Sequence, residues 1–563
     1  MALLGLQKIS FQDFRQSVAG PFVSFTRNES GNLTVLGLVM GSLMIAFGGL
    51  AVDMMRYEAT RAELQNTLDR AALAAASWSQ NLNPEGVVED YFAKAGLSEQ
   101  LVNVEATQGL NFRRVDAKAE ADTLPFFLNM VGLEKLHVNA DSAAEQRISN
   151  IEVMMVLDVS GSMNSNNKLT GLKAAGTEFI NTVLENDADD KISIGIVPFN
   201  GQVNLGPDLR AKFNATYQHG VANVNCVDLP AAVYSTTGIS AATALPMTAD
   251  VDTYSGTDTS NSYTTSNMTP SSGNKWCPPQ PTNIVRLPGQ DIGVLQGYVN
   301  NLVGVGATSI NAGMKWGLAL MDPEMRTAYA DFITATKMPT SLADRPYDYT
   351  DDESMKVIVL MTDGEHFAEE RLVDGYKTGP SPIYVSIADT YRSIFHPSLV
   401  VSTNATTICD SRPYFVPHLG QFHSRPWNGT VPVSTACYSA TAPIVGANVM
   451  DWVQVWGAMR LSYVVQQFYV RALGGSHSGY MDIFRSKTPT GSMDTQLQTI
   501  CALAKDQGVV VYGIAFSAPT AGQAQILGCA TSTAYYFEAE NNVQLTTAFR
   551  TIASNISQLR LIQ

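Results

Sequence analysis

The sequence predicts an α/β protein whose main domain has a mainly parallel sheet flanked by helices, preceded by a transmembrane helix and a small α+β domain. Two apolar runs, residues 153–157 and 357–361, are typical of strands buried on both faces of a parallel sheet. Strand and helix patterns alternate around these runs, as expected when helices connect parallel strands. At 563 residues the chain is too long for one hydrophobic core, so at least two folded units are expected.

The N-terminal region predicts a membrane anchor. No residue from Ser30 to Val52 is charged, and the apolar run that starts at Leu33 has about the length a helix needs to cross a hydrocarbon core. A cleaved signal peptide fits less well, because the stretch is long and lacks a small-residue cleavage site directly after it. The predicted divisions are a cytoplasmic segment, the span, a helix with a small sheet, and the main domain: residues 1–31, 32–52, 53–150 and 151–563.

The predicted small domain begins with a helix that continues the span. Strong helix formers and no breaker extend this helix to about Trp78. Three segments that alternate or favour strands follow it, at residues 100–107, 110–121 and 136–144. A long N-terminal helix followed by a small sheet is a pilin-like plan.

The main domain continues with elements that agree with an α/β sheet. Apolar periodicity predicts helices over residues 169–184 and 291–302 and a strand over 192–197. The C-terminal part gives strand, helix, strand and helix over residues 508–516, 521–527, 534–539 and 541–561. Two long insertions interrupt this order, at about residues 205–290 and 366–492. The second contains a predicted helix over 451–473, whose aromatic residues favour a core position, with partner binding as the alternative.

Charge and cysteine content limit the possible functions. A net charge of −15 without any cluster of Lys and Arg argues against a nucleic-acid partner. Six cysteines without C-x-x-C spacing suggest disulfides and an oxidising compartment, with reduced buried thiols as the alternative. Because each sequential pair closes a local excursion, we expect the disulfides Cys226–Cys277, Cys409–Cys437 and Cys501–Cys529.

Oxygen-bearing side chains follow or precede three elements of the predicted sheet. Asp158, Ser160 and Ser162 come directly after the first buried run, and Asp363 follows the second. Thr308 stands before a helical segment. Ligands bind beyond the carboxyl ends of strands in open α/β sheets, and hard oxygens suit Mg2+, with Mn2+ or Ca2+ as alternatives. A helix N-cap is the simpler explanation for each short motif alone. The three together, in this order, indicate a metal site.

These residues resemble two known families. The uncharged span, then Gly-Leu-Ala-Val-Asp53, then Leu-Asp69-Arg-Ala-Ala-Leu-Ala-Ala-Ala76, is similar to the N-terminal region of TadG-like proteins of the tight-adherence (Flp) pilus assembly system. The order Asp158-x-Ser-x-Ser, Thr308, Asp363 resembles the metal-ion-dependent adhesion site (MIDAS) of the Rossmann-like von Willebrand factor A domain. This second resemblance implies direct coordination by Ser160, Ser162 and Thr308, with both aspartates acting through waters and hydrogen bonds.

One departure concerns processing. Prepilins cleaved by their peptidase carry a Glu five residues after the cleavage-site Gly, whereas Leu36 stands at that distance from Gly31. The resemblance therefore does not extend to cleavage and incorporation as a major pilin.

The sequence predicts a binding protein with no catalytic residues. It contains no G-x-x-x-x-G-K-[ST], no G-x-S-x-G and no H-E-x-x-H, and its seven histidines are scattered. A Mg2+-dependent hydrolase built on the same site is conceivable, but no general base is identifiable.

The resemblance implies a single-pass protein of a bacterial inner membrane, with its large C-terminal part in the periplasm or at the cell surface. It would act in pilus assembly or adhesion and use its metal ion to bind an acidic side chain of a pilus or cell-envelope protein. The alternatives are a static envelope scaffold and a channel- or receptor-associated glycoprotein, for which Asn214 and Asn404 begin Asn-x-Thr sequons.

Overall fold

The computed structural model describes residues 32–77, 82–109, 112–147, 150–185, 187, 190–254, 256–400, 411–430 and 437–557. The chain divides into two compact units, Met1–Arg147 and Ile148–Gln563. Each unit has its own hydrophobic core.

The first unit combines one long helix, one short helix and a three-stranded antiparallel sheet. Helix α1 runs over Asn32–Ala76 and is long and apolar enough to cross a membrane, by length and composition. Helix α2 (Pro84–Ala95), which the sequence did not predict, starts at an Asn83 cap and ends at Gly96 with φ 73°. The predicted strands are present as β1 (Leu101–Gln108), β2 (Phe112–Thr123) and β3 (Leu136–Arg147).

Only the C-terminal half of α1 belongs to the core of this unit. Leu64, Leu68 and Ala72 are buried and pack in one cluster with Val115 and Val138 of the sheet. The large apolar side chains from Leu33 to Met55 are mostly exposed. The exposed half coincides with the predicted span.

The second unit is built on a mixed six-stranded sheet. Its strands are β4 (Asn150–Asp158), β5 (Ile192–Phe199), β6 (Arg286–Gly289), β7 (Ser354–Thr362), β8 (Val510–Phe516) and β9 (Tyr536–Ala539). The order is β9-β8-β7-β4-β5-β6; neighbours pair in parallel except the edge strand β6, which is antiparallel to β5. The sequence did not predict β6. Almost every residue of β4, β5 and β7 is buried, which explains their continuous apolar runs.

Helices cover both faces of this sheet. Gly176 lies against Met155, and Gly317 lies against the adjacent Val156. Successive strand residues point to opposite faces, so the helices carrying these glycines lie on opposite sides. One layer contains α3 (Lys168–Leu184), α4 (Ile292–Asn300) and α8 (Asn542–Ser557), and the other contains α5 (Ile310–Ala319), α6 (Thr490–Asp506) and α7 (Thr520–Cys529). Residues 558–561 of the predicted last helix lie outside the described part.

The first insertion, between β5 and β6, has little regular structure. It holds the short helix Gly206–Arg210 and a parallel pairing of Ala215–Thr216 with Leu245–Pro246. A disulfide joins Cys226 to Cys277, as predicted, with Cα atoms 5.9 Å apart. Between this insertion and β7, the helix Arg326–Thr334 lies outside the sequence predictions.

The second insertion, between β7 and α6, forms a sheet that the sequence did not predict. Its five antiparallel strands are, in order, Gln421–His423, Tyr414–Val416, Arg392–Phe395, Pro380–Ser386 and Ala447–Asp451. A separate strand pair joins Glu369–Leu372 to Arg485–Thr488. The insertion's helical segments are Trp452–Ala458, Leu461–Val464, Val465–Val470 (a π-helix), Arg471–Leu473 and His477–Phe484.

The prediction of one continuous helix over 451–473 was wrong. The helix ends at Ala458, Met459 and Arg460 are extended, and the chain becomes helical again at Leu461. The reason is tertiary: the N–H of Arg460 donates to the Met268 carbonyl and the N–H of Leu461 to the Asp252 carbonyl, both in the first insertion. The core position of the aromatic residues is confirmed, since Trp452, Trp456, Tyr463 and Phe468 are all buried in one cluster.

The remaining cysteines also agree with an oxidised protein. Cys501 of α6 is joined to Cys529 of α7, as predicted, with Cα atoms 5.0 Å apart. Cys437 is disulfide-bonded, and Cys409, its predicted partner, lies outside the described residues. No cysteine is free in the part of the chain that the structure describes.

Candidate functional site

The predicted ligands lie at the carboxyl edge of the six-stranded sheet. Asp158 is the last residue of β4, and Ser160 and Ser162 follow in the turn before α3. Asp363 follows β7 directly, and Thr308 stands two residues before α5. Strands β4 and β7 are parallel neighbours, so their carboxyl ends meet and bring these loops together.

Asp158 holds the loops in place. Its side chain is fully buried; one carboxylate oxygen accepts the Ser160 N–H at 2.7 Å and the other accepts the Thr362 hydroxyl at 2.6 Å. Burial, together with the nearby Asp363 carboxylate, raises the pKa of Asp158 to about 7. Asp158 thus connects the end of β4 to the end of β7.

Three further oxygens form a compact group beside Asp158. The Ser162 hydroxyl donates to Asp363 Oδ1 at 2.7 Å and lies 2.9 Å from the Ser160 hydroxyl. The distance from Ser160 Oγ to Asp363 Oδ1 is 3.5 Å. A Mg2+ ion with bonds of about 2.1 Å needs neighbouring ligands about 3 Å apart, so these spacings suit an octahedral cation.

Thr308 lies at the border of this group. Two loop contacts position its segment: the Gly161 N–H donates to the Gly306 carbonyl at 2.9 Å, and the Val305 N–H donates to the Val159 carbonyl at 2.8 Å. The Thr308 hydroxyl lies close to Gly364, the residue that follows Asp363: a Cβ built on Gly364 would be 3.7 Å from it. Among the hydrogen bonds of the described residues, none involves this hydroxyl, so it is available to an external ligand.

Two residues that sequence reasoning missed complete the site. Thr362 supplies the hydroxyl that binds Asp158. Lys168, the first residue of α3, places its ammonium group 3.0 Å from Asp363 Oδ2, with only 12% of its side chain exposed. The only sequence signal for Lys168 is its place in the first turn of a helix that follows the Asp-x-Ser-x-Ser motif.

The residues predicted to bind the metal ion offer mostly hydroxyl groups and few carboxylates. Within the described ranges, no group of three or more His, Cys, Asp or Glu residues has an arrangement that could hold a metal ion. The predicted set contains only two acidic residues and depends on Ser160, Ser162 and Thr308 for the rest. These hard oxygens fit Mg2+ or Mn2+ and not a soft metal. Lys168 already supplies one positive charge to Asp363.

A cavity of about 320 Å³ opens beside Ser162 and Thr308. The second insertion, which begins three residues after Asp363, contributes His366 and Phe367 to its lining. The first insertion contributes Tyr254, Lys275 and Trp276. The Phe367 ring packs edge-on against Tyr254, with ring centroids 4.8 Å apart. Both insertions therefore form walls beside the oxygen group.

His366 resembles a general base only superficially. Its Nδ1 lies 2.7 Å from Asp494 Oδ1, and its Nε2 accepts the backbone N–H of Asn311 at 3.1 Å. Nε2 is therefore unprotonated and Nδ1 carries the proton that Asp494 accepts. With both nitrogens engaged, the imidazole connects Asp494 to the start of α5 and has no nitrogen free to take a proton from a substrate.

Comparison with known proteins identifies the N-terminal segment. Residues 31–77, which include α1, match the family described as putative Flp pilus-assembly TadE/G-like. For these residues the predicted resemblance is confirmed at the level of TadE/G-like proteins. No curated protein sequence gives a significant match to the chain.

Several solved pilus proteins are similar at low identity. The pilus adhesin SpaC from Lactobacillus rhamnosus GG is 10% identical, over 81% of this chain and 34% of that chain, with a TM-score of 0.28. The vWF domain of the type V pili tip protein Mfa5 from Porphyromonas gingivalis is 13% identical, over 73% and 96%, with a TM-score of 0.29. The chain spans about a third of the length of SpaC. TM-scores this low support no argument about fold or function.

Proposed function

We propose that the chain is a membrane-anchored, extracytoplasmic protein of tight-adherence (Flp) pilus assembly or adhesion. Its second unit would be a von Willebrand factor A domain that binds an acidic side chain of a pilus or cell-envelope protein through a divalent metal ion. The observation that carries this proposal is the oxygen group of Ser160, Ser162 and Asp363 at the carboxyl edge of the sheet. The family match of residues 31–77 supports the pilus context.

The von Willebrand factor A assignment rests on the combination of sheet and site. Five parallel strands with one antiparallel edge strand are covered by helices on both faces. The loops after β4, before α5 and after β7 carry the motif residues in the order that the resemblance requires.

Some of the site's side chains would bind a cation directly, and others hold those ligands in position. Ser160, Ser162 and Thr308 would contact it directly, while Asp158 fixes the loop of Ser160 and Asp363 orients the Ser162 hydroxyl. A bound Mg2+ would supply a Lewis-acidic position for a carboxylate of the partner. Because the cavity lies beside Ser162 and Thr308, a carboxylate bound in it would lie next to the aromatic side chains of the two insertions.

A static scaffold is the second candidate, and one observation favours it. The Lys168 ammonium already neutralises part of the Asp363 charge, which would hold the loops together with no metal present. The two candidates predict different behaviour of the same site. Metal affinity and metal-dependent attachment are expected for adhesion and not for a scaffold.

Thr308→Ala tests the metal site with little risk to the fold, because the hydroxyl it removes bonds to no described residue. Ser309→Ala is its matched control, because the neighbouring Ser309 hydroxyl is buried and has no hydrogen-bond partner among the described residues. We expect Thr308→Ala to weaken Mn2+ binding of the detergent-solubilised full chain at least tenfold in calorimetry. Ser309→Ala should bind as the wild type does. Equal affinity of both variants would remove Thr308 from the site.

The functional arm uses cells that carry the same pair of variants at equal membrane abundance. We expect surface attachment, or pulldown of pilus components, to fall with Thr308→Ala and with EDTA but not with Ser309→Ala. If Thr308→Ala and EDTA both leave attachment unchanged, the scaffold is the better account.

A further inference from the structure

An exposed apolar loop joins β2 to β3 in the first unit. Residues 124–133, the apolar loop, contain no charged side chain. Phe126, Met130 and Val131 are 67%, 84% and 75% exposed. Exposed apolar residues clustered in so short a segment mark an interaction site, because single exposed ones are common but patches are not.

The loop is fixed to α1 by one carboxylate. Asp53, itself 1% exposed, accepts the backbone N–H groups of Phe126, Phe127 and Leu128, each at 2.8 Å. Three charge-assisted bonds to consecutive N–H groups define the position of this backbone closely. Asp53 is the first charged residue after the uncharged stretch of α1.

Two further contacts lie one turn to either side of Asp53. Gly49 is buried under the Phe127 ring, and a Cβ at this position would overlap the ring atoms. On the other side, the Arg56 guanidinium lies 4.2 Å from the centre of the Phe126 ring and donates to the Leu124 carbonyl at 3.1 Å. The loop therefore lies beside α1 where its apolar half gives way to its charged half.

The surface of the loop continues an apolar surface of α1. Between Leu33 and Val52, Gly49 is the only buried residue of α1. Charged residues flank the loop at its base, where Lys135 pairs with Asp122 at 2.8 Å. An apolar tip with charged flanks, held against a candidate span, is the arrangement of an interfacial membrane segment.

We propose that the apolar loop inserts into the lipid interface beside the span, with Phe126, Met130 and Val131 in contact with lipid. This inference rests on the membrane anchor of the proposed function and is independent of the metal site. Burial of these side chains would fix the depth and rotation of α1 in the bilayer, because Asp53 couples the loop to the helix.

The experiment places a single NBD-labelled cysteine in the full chain, reconstituted in phosphatidylcholine vesicles with or without brominated acyl chains. Met130→Cys probes the loop, Leu43→Cys probes the span and Ala143→Cys, exposed on β3, probes water; the unsubstituted chain measures background labelling. We expect brominated lipid to quench Met130→Cys at least half as strongly as Leu43→Cys, with no quenching at Ala143→Cys. Adding Asp53→Asn to Met130→Cys should reduce the loop signal at least twofold, since one amide oxygen cannot accept all three N–H groups.

The labels at residues 43, 130 and 143 distinguish failure of the loop proposal from failure of the membrane anchor. Quenching at residue 43 without quenching at residue 130 would overturn the loop proposal and leave the anchor intact. Protection of residue 130 from aqueous iodide without quenching by brominated lipid would show a protein cover, such as a second copy of the chain, and would also overturn it. Absence of quenching at residue 43 would refute the anchor and the loop proposal together, whatever the metal titration shows.

Discussion

Lys168 places an ammonium group where a divalent cation would add positive charge, so the two compete for Asp363. The side chain lies 3.0 Å from Asp363 Oδ2 and is largely buried, so water screens it little. We predict that Lys168→Met tightens Mn2+ binding by about tenfold, which corresponds to about 1.4 kcal/mol. Calorimetry on the purified chain measures this change.

The same substitution should have an opposite effect without metal. Removing the ammonium leaves Asp363 buried without its ion pair, which costs about 3 kcal/mol. The melting temperature of Lys168→Met should therefore fall in EDTA and recover when Mn2+ is added. Lys168→Arg, which keeps the charge, is the control. An unchanged Mn2+ affinity in Lys168→Met would show that Lys168 does not compete for the site.

We expect Lys315 of α5 to make the stability of the protein depend on pH. Its ammonium group donates to the carbonyls of Thr237 and Gly238 in the first insertion at 3.0 and 2.9 Å, and burial lowers its pKa from 10.5 to about 8. Between these values the unfolded chain binds more protons than the folded one, so the free energy of unfolding rises with pH. We predict a rise of up to about 3 kcal/mol from this group.

Chemical denaturation of residues 150–563 at about pH 7 and about pH 9.5 measures the effect of Lys315. Lys315→Met removes the titrating group, so its stability should change less over this interval than that of the wild type. The variant should also be less stable at neutral pH, because the three carbonyls of residues 236–238 lose their donor. Parallel pH profiles of the two proteins would contradict the prediction.

The oxygen donors of the site were predictable because each follows or precedes an element that could be recognised locally. Asp158 and Asp363 stand directly after apolar runs that are typical of buried parallel strands. The roles of Thr362 and Lys168 could not be predicted from the sequence, because they depend on which side chains these residues contact at the edge of the sheet. Tyr254 and Trp276 reach the cavity through an insertion whose weak periodicity gives no sign of its direction.

Among the elements, the first insertion depends most on its disulfide. It has little regular structure, and Cys226 and Cys277 are buried in a small cluster of their own. We predict that Cys226→Ala with Cys277→Ala costs about 2–5 kcal/mol of stability, chiefly through the unfolded state. Partner binding should fall because Trp276, which lines the cavity, is adjacent to Cys277, whereas the metal ligands lie elsewhere.

The matched control is Cys501→Ala with Cys529→Ala. That disulfide closes a separation of 28 residues instead of 51 and joins two helices that also pack directly. Denaturant titration should show a larger loss for the 226–277 pair, and calorimetry should show unchanged Mn2+ affinity. Loss of Mn2+ binding without the Cys226–Cys277 disulfide would mean that the first insertion contributes to the metal site itself.

The sequence predicted correctly the strands that are buried on both faces of the sheet and the helices whose apolar periodicity extends over many residues. Strands β4, β5 and β7 and helix α3 lie within a few residues of the predicted bounds. The sheet of the second insertion was missed because several of its strands are short, such as Tyr414–Val416, and because its edge strand Ala447–Asp451 pairs with the distant strand Pro380–Ser386. The break at Met459 was missed because the hydrogen bonds that cause it come from the first insertion.

At the scale of the whole molecule, the two units have separate cores and differ in what they expose and in their disulfides. The first unit buries the C-terminal half of α1, which carries charged residues, and leaves the apolar N-terminal half exposed. The second unit holds every disulfide among the described cysteines. An apolar exposed helix and an oxidised second unit are both explained if the helix crosses a membrane and the second unit lies on its oxidising side.

This explanation predicts the orientation of the chain. Lys8, Arg15 and Arg27 precede the span, which agrees with a cytoplasmic N-terminus under the positive-inside rule. Protease added to spheroplasts should therefore digest the second unit and leave a membrane-protected N-terminal peptide. A maleimide reagent applied under denaturing, non-reducing conditions should label neither Cys226 nor Cys501 in protein taken from native membranes, and should label both after reduction.

The control is a cytoplasmic protein of the same spheroplasts, which must stay intact in the same digest. A second unit that resists the protease until the spheroplasts are lysed, with its cysteines labelled without reduction, would place it in the cytoplasm and would contradict both the anchor orientation and a role in extracellular adhesion.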